Sequence, residues 1–463
     1  MPLARAAALT AVWSLALAAL VHAYTVDVLH LSQDGRARWA LPICAAAFLA
    51  GHLLARAAGR RSGAPPLGPL RHGTLLVLFA ACVQGMAHVA PETTAEVLMR
   101  EAPPSLAFVH PAIALLAPIV LRFGARRIDA ADHVLLVALF ATVMSGALFF
   151  LDGATALGLA VAAALAALGA GAGTPRRSPL IGAVVAVVLL LVAGTAVGPD
   201  EAFARPALRY VLSAALLLLT IASRPRDAAA WRAVLAAPVL AAVAVAVSEV
   251  AVTVDLGLRF SFAAAFDTRL ILFRQHPNFL APLFAFSALL AFGFGRTCER
   301  GAGRAGGFAA AALLAYATWR TDSNTGRAAL LVGAATLVAF PLLRALVVRF
   351  GGRKVALAAA AAAVAVAAAG GGLLLREETA ARAVSVIERG QKSLDYRVDA
   401  WRNAVAVIGE HPLLGIGPRT FLLRSEFPPQ SRFANENEIP HPHNAYLYVA
   451  QAGGLLAGVA FLV

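Results

Sequence analysis

Charge is what this chain has least of. Only 14% of its 463 residues are Asp, Glu, Lys or Arg, and 60% are apolar; the mean hydropathy is +0.76. A water-soluble domain of this size needs a charged surface, and there is too little charge here to make one. Cysteine is nearly missing. Cys44, Cys82 and Cys298 each fall in or beside an apolar run, so no disulfide framework is indicated. Lysine occurs twice, at Lys354 and Lys392, a compositional bias with little functional content. Acids are outnumbered, which leaves a net charge of +14. In a soluble chain that surplus would suggest a nucleic-acid partner. In a chain this apolar no nucleic acid is expected, and what matters is which connections carry the charge.

Long apolar runs are what the chain has in abundance. Fourteen segments read as candidate spans, at about 6–30, 39–55, 73–90, 105–121, 133–151, 154–172, 179–198, 207–223, 233–254, 276–295, 307–320, 327–348, 355–375 and 442–463, by the length of apolar helix a bilayer requires. The run 307–320 is short, and only Asp152-Gly153 divides 133–172. The first run lacks a cleavage site and reads as a span, not a removed signal. The last runs to Val463 without a polar tail, so it either closes the protein or precedes a missing part. The expectation is an all-α, polytopic integral membrane bundle of about 12–14 spans with one large loop. By region, 1–260 holds N-terminal spans, 261–375 further spans, 376–441 the long loop and 442–463 the last span.

Alternate connections differ in charge. Residues 1–5, 56–72, 122–132, 173–178, 224–232, 296–306 and 344–354 together hold 20 Lys/Arg and 4 Asp/Glu. The other set, without 376–441, holds 10 and 12. A basic excess on every other connection is the positive-inside pattern. It puts the N-terminus in the cytoplasm and 376–441 in the periplasm of a bacterial inner membrane. The polar clusters that look chemical then share the outer face: Arg269 to Asn278, Arg320 to Arg327, Arg397 to Arg402, and His441 to Asn444. Within the long loop, apolar residues at 394, 398, 401, 405 and 408 have a helical period, which predicts an amphipathic helix over 394–409. His411-Pro412-Leu413-Leu414-Gly415 stops it.

The spans starting near 276, 327 and 442 run inward, so their positive dipole ends face the periplasm. Each opens on polar residues: His276-Pro277-Asn278, Ser323-Asn324-Thr325-Gly326-Arg327, and His441-Pro442-His443-Asn444. Pro442 suits the first turn of the last helix, and Gly454 with Gly458 forms a small-residue stripe inside it. Helix N-termini and guanidinium forks make anion sites, and a lipid-linked diphosphate suits such a site. His443 is the candidate base, since a helix N-terminus keeps a histidine neutral; it also reads as a helix-capping interfacial histidine. Arg327 and Arg397 are the candidate phosphate ligands, with Arg269, Arg274, Asn278 and His441 beside them. Snorkelling interfacial anchoring is the other reading of these arginines. For Arg320, which closes a span, anchoring is the preferred reading. Arg397 also lies four residues before Trp401, close enough to stack on it. His441 and His443 have no Asp, Glu or Cys partner at metal-ligand spacing, so no metal is expected.

Residues of about 265–460 resemble the O-antigen ligase/O-antigen polymerase superfamily of bacterial glycosyltransferases. Arg397-Val398-Asp399-Ala400-Trp401 resembles its R-x-x-x-[LW] motif. His411-Pro412-Leu413-Leu414-Gly415-Ile416-Gly417 is similar to its hP-l-l-G-x-G turn. His443, Gly454 and Gly458 match the ligase H-x10-G-x3-G pattern. Ser323-Asn324-Thr325-Gly326-Arg327 resembles its polar-Gly-Arg span opening, where many members carry Ser-Arg. The resemblance implies a helical bundle of the lipid-sugar glycosyltransferase type. It implies a glycan donor on undecaprenyl diphosphate, a lipid A-core acceptor in a ligase, and neither metal nor nucleotide cofactor. Arg327 and Arg397 would bind the diphosphate and His443 would activate or orient the acceptor hydroxyl. An O-antigen polymerase or a protein O-oligosaccharyltransferase shares these motifs. A lipid-sugar transporter is the alternative of a different class; it calls for mid-membrane charge and symmetric halves, and the polar residues here gather at one face.

Overall fold

The structure is a computed structural model. It describes residues 2–25, 39–62, 67–89, 106–124, 128–148, 153–171, 179–198, 201–223, 228–255, 277–299, 301–321, 323–350, 397–418, 442 and 444–462. These residues form helices and short turns, with no strand among them. In chain order the helices are α1 (Pro2–His22), α2 (Ala40–Ser62), α3 (Pro69–Val89), α4 (Leu106–Gly124), α5 (Ala130–Leu148), α6 (Gly153–Gly169), α7 (Pro179–Val197), α8 (Glu201–Ala222), α9 (Ala228–Asp255), α10 (Pro277–Thr297), α11 (Gly301–Arg320) and α12 (Asn324–Phe350). After these come α13 (397–410) and α14 (Ala445–Leu462). The protein is all-α and polytopic. By length and composition alone, six segments of the described helices are long and apolar enough to cross a membrane: Leu3–Thr25, Ala40–Arg60, Pro69–Ala87, Ala230–Ser248, Leu280–Thr297 and Ala445–Leu462, the last of them broken at Gly454. The expected run 307–320 is longer than its apolar core, because Gly301 to Gly306 continue the helix. The expected division of 133–172 falls between α5, which ends at Leu148, and α6, which starts at Gly153. The expected span 355–375 lies outside the described residues.

The chain divides into two compact units, Met1–Arg177 with Arg209–Leu331, and Ser178–Leu208 with Val332–Val463. In the first, α3 is central. It packs against α1, α2, α4 and α5, and 72% of its apolar window is buried, against 28% in α1 and 22% in α2. Leu75, Val77, Phe79 and Cys82 bury all round it, while α1 and α2 turn Leu17, Leu49, Leu53 and Leu54 outward. An apolar outer surface is what a helix facing lipid presents. A polar tie fixes one end of the bundle. Arg71 Nε donates to His133 Nδ1 at 2.8 Å and Nη2 to the Ile128 carbonyl at 2.9 Å, while Asp129 caps α5 through the Asp132 N–H at 2.8 Å. Among the described helices the most extensive contact is between α10 and α11. A Cβ at Gly307 would meet the backbone of Gly295, so the missing side chain sets their separation.

In the second unit, α14 packs on α7. The sequence suggests one straight last span, and the structure corrects this. At Gly454 φ is 81° and ψ is 174°, a conformation essentially reserved for glycine. The chain turns sharply there. In a straight helix residues 446 and 461 would lie about 22 Å apart along the axis, yet the Tyr446 and Phe461 rings sit 5.6 Å apart at 66°. The arms before and after the break each have about eight or nine residues, roughly 13 Å. Neither, over its described length, covers the hydrocarbon thickness of about 30 Å.

Candidate active site

In the first unit the site residues gather where α11 gives way to α12. The Thr321 hydroxyl donates to the Thr318 carbonyl at 2.7 Å and accepts from the Ser323 N–H at 3.3 Å. Ser323 Oγ then accepts from the Gly326 N–H at 3.3 Å, and the Ser323 carbonyl accepts from the Arg327 N–H at 2.9 Å. Ser323 is thus the N-cap of α12. Thr318, Thr321 and Ser323 are all buried, so this turn is built and not merely solvated. Arg327 sits at the end of the first turn of α12, where a cation opposes the helix dipole by roughly 0.3–1 kcal/mol. Its side chain offsets that by reaching back to the other helix. The guanidinium lies 4.7 Å from the centre of the Trp319 ring, and Nη2 donates to the Trp319 carbonyl at 3.0 Å. That carbonyl is in the last turn of α11, where a cation is favoured. Arg320 is buried, 5% exposed, with Cζ 6.0 Å from the Tyr316 ring centre; the expected snorkelling anchor is instead packed in the protein.

Two of the three polar span openings lie side by side. A Cβ at Gly326 would run into Ala281 of α10, so the first turn of α12 rests on the second turn of α10. Asn278 opens α10 one turn before Ala281. Arg269 and Arg274 lie outside the described residues, as do His441 and His443.

In the second unit the site is assembled from α13, the turn after it, and α14. Arg397 is half-buried at the start of the described part of α13. One turn on, the Trp401 indole N–H donates to the Pro442 carbonyl at 2.7 Å. Asp399 pairs with Arg402 at 3.3 Å on the exposed side. The buried stripe of α13 is Ala400, Asn403, Ala404, Val407 and Ile408, while Val405 is 57% exposed. Of the expected stripe 394-398-401-405-408, Ile408 is buried, Val398 and Trp401 are half-buried and Val405 faces out, while 394 lies outside the described residues. Small alanines make the close approach, so ranking positions by apolar bulk picks a neighbouring face. The helix ends at 410, as expected. Asn444 Oδ1 accepts from the Tyr446 and Leu447 N–H groups at 3.0 and 3.3 Å. Asn444 is therefore the N-cap of α14, and Pro442 precedes the cap instead of occupying the first turn.

The turn 411–417 and the break at Gly454 are two halves of one feature. Breaking a helix leaves N–H and C=O groups without partners. Here the turn supplies them. Ile416 N–H donates to the Gln451 carbonyl and Gly417 N–H to the Ala452 carbonyl, both at 2.9 Å, and Leu455 N–H donates to the Pro412 carbonyl at 2.8 Å. A Cβ at Gly454 would collide with the Leu413 carbonyl, and Gly415 and Gly417 both have positive φ. On the other side α7 closes in through Gly194 and Gly198, where a Cβ would meet the Leu414, Ala452 and Ile416 carbonyls. The two glycines of the G-x3-G in α14 thus do different work: Gly454 receives the turn, while Gly458 lets the second arm close on Ala450 of the first. Sequence reasoning missed this and the Trp401 bond. The available signals were the Gly415/Gly417 pair and a second G-x3-G at Gly194 and Gly198.

Comparison with known proteins falls on this same region. Residues 309–462 match the O-antigen ligase family. The match covers about a third of the chain and agrees with the O-antigen ligase/O-antigen polymerase superfamily that the motifs resemble. Members of that family are glycosyltransferase-like enzymes. It spans the α11–α12 turn, α13, the 411–417 turn and α14, with Arg327, Arg397, His441 and His443 inside and Arg269, Arg274 and Asn278 before it. No curated protein and no solved structure matches the chain.

Proposed function

We propose that this protein is a glycosyltransferase of the bacterial inner membrane. It moves an O-antigen polysaccharide from undecaprenyl diphosphate to a lipid A-core hydroxyl at the periplasmic face. The N-terminus is cytoplasmic and 376–441 periplasmic, by the distribution of basic connections. Residues 1–260 hold the N-terminal membrane helices, 261–375 the helices of the ligase/polymerase core and 442–463 the last membrane helix. Arg397 and Arg327 hold the diphosphate and stabilise the charge it gains as the anomeric C–O bond breaks; Arg269, Arg274, Asn278 and His441 assist in binding. His443 takes the proton of the acceptor hydroxyl as its oxygen bonds to the anomeric carbon. The products are the extended acceptor and undecaprenyl diphosphate. Neither metal nor nucleotide enters this scheme.

The observation that carries this reading is the Trp401–Pro442 bond. It ties the helix bearing Arg397 to Pro442, the residue before His443 in sequence, inside the part of the chain that matches the O-antigen ligase family. The test is transfer in vitro from a synthetic undecaprenyl-diphosphate glycan to rough lipopolysaccharide, with EDTA and without nucleotide. Growth of the acceptor by a glycan block supports a metal-independent ligase. Lengthening of the lipid-linked glycan alone would make the protein a polymerase. No transfer to either by folded protein directs the search to protein acceptors, then to lipid-sugar transport.

A further inference from the structure

We infer that Trp401 is a positioning residue: its indole N–H, through the Pro442 carbonyl, sets where Pro442, next in sequence to His443, stands relative to the helix carrying Arg397. The inference rests on the glycan-transfer reading above. The first arm of α14 is held at both ends by one continuous stretch, 401–417. At the opening, Trp401 donates 2.7 Å to the carbonyl of Pro442, which is buried. At the break, Ile416 and Gly417 occupy the Gln451 and Ala452 carbonyls. Between these points Asn444 caps the arm through Tyr446 and Leu447. Two fixed points on one arm leave it little freedom to slide or swing. Pro442 has no N–H, so its carbonyl is the one backbone group it can offer, and an indole N–H is a donor with no acceptor capacity. The bond therefore has a single sense and a single register. Arg397 lies one helical turn before Trp401, so the same bond links the helix of Arg397 to the residue that precedes His443. Reactions that depend on orientation lose about a hundredfold for a misplacement near 1 Å, which gives such a tether kinetic weight.

The test separates the N–H from the bulk of the ring. Trp401→Phe keeps an aromatic six-membered ring and removes the donor. Trp401→His keeps a five-membered ring whose Nε2 sits where the indole nitrogen does, and loses the bulk. In the transfer assay on full-length protein, with detergent melting recorded in parallel, Trp401→Phe is expected to lower kcat by at least about tenfold with the donor KM within about twofold. Trp401→His is expected to recover most of that kcat. A folded Phe variant with wild-type kcat would overturn the inference. A Phe variant at least as active as the His variant would overturn it too, since bulk alone would then be at issue. An unchanged kcat with a raised donor KM would overturn it as well. Failure of the wild-type protein to transfer glycan at all would strike the functional reading, not the tether.

Discussion

Each compact unit pairs an arginine with a tryptophan, and the two pairs are wired differently. In the first, Trp319 holds Arg327 itself, with its ring under the guanidinium and its carbonyl on Nη2. The arginine is fixed by the end of the helix before it. In the second, Trp401 shares a helix with Arg397 but gives its N–H to another element, the Pro442 carbonyl. One tryptophan orients a charge and the other orients a piece of backbone. The first arrangement is local, built from residues 318–327. The second is long-range, and needs the break at Gly454 and the turn 411–417 to hold it. The local pair should tolerate damage at a distance, whereas the long-range one should fail as a unit.

The sharpest way to separate the units is to remove the proposed base. His443→Ala is expected to abolish glycan transfer while melting behaviour and donor binding stay near wild type, because both arginines remain. Near-normal transfer would take His443 out of the mechanism and leave the second unit a purely binding element. Next in size is Gly454→Ala. A side chain at that positive φ costs roughly 1–3 kcal/mol in backbone strain, and its Cβ meets the Leu413 carbonyl. The 411–417 turn is expected to undock, with a lower melting temperature and protease cleavage within 411–418. A Gly454→Ala protein as stable and protease-resistant as wild type would mean the break is not held by the turn.

The apolar helices among the described residues were legible because run length and hydropathy measure the same thing a bilayer does. The helix stop at His411-Pro412 was legible because it is local chemistry. The break at Gly454 was not. Two glycines four apart read as a packing stripe, and the groups that satisfy the backbone at the break lie far upstream, at Pro412, Ile416 and Gly417. The buried side of α13 escapes the pattern for a related reason: alanine and Asn403 bury there because they are small or partnered, while bulkier Val405 faces out. The site shows the same divide. The polar openings of α10 and α12 are visible as motifs, but only Gly326 against Ala281 shows that they adjoin. Arg320 looks like an anchor because sequence records its place at a helix end and not its burial.

Lysine substitutions compare the two arginines directly. Arg327→Lys keeps the charge but loses the planar fork and its stacking on Trp319; it is expected to reduce transfer at least about tenfold and also to lower the melting temperature, since Arg327 is a structural tie between α11 and α12. Arg397→Lys is expected to reduce transfer comparably with little change in melting. Both can be read in one titration of donor concentration against rate plus a detergent melt. Equal melting effects would erase the distinction between a held arginine and a presented one. Full activity in the Arg397→Lys variant would reduce Arg397 to a point charge.

The smallest expected effect tests how local the first arrangement is. Ser323→Ala removes the side-chain cap of α12 and should cost about 1 kcal/mol of stability, with transfer kept within about threefold because the Arg327 guanidinium is held by Trp319 and the Ser323 carbonyl that takes the Arg327 N–H remains. Ser323→Asp replaces the cap with an equally good one, so its melting temperature should stay near wild type. It also sets a carboxylate one helical turn before Arg327, where it would compete with the donor diphosphate for the guanidinium. The aspartate variant is therefore expected to be the more stable of the two and the less active, with the loss falling on donor KM and easing as salt rises. If the alanine variant were the less active, Ser323 would matter to Arg327 through the shape of the turn, and the first unit would be wired over a longer range than its hydrogen bonds indicate.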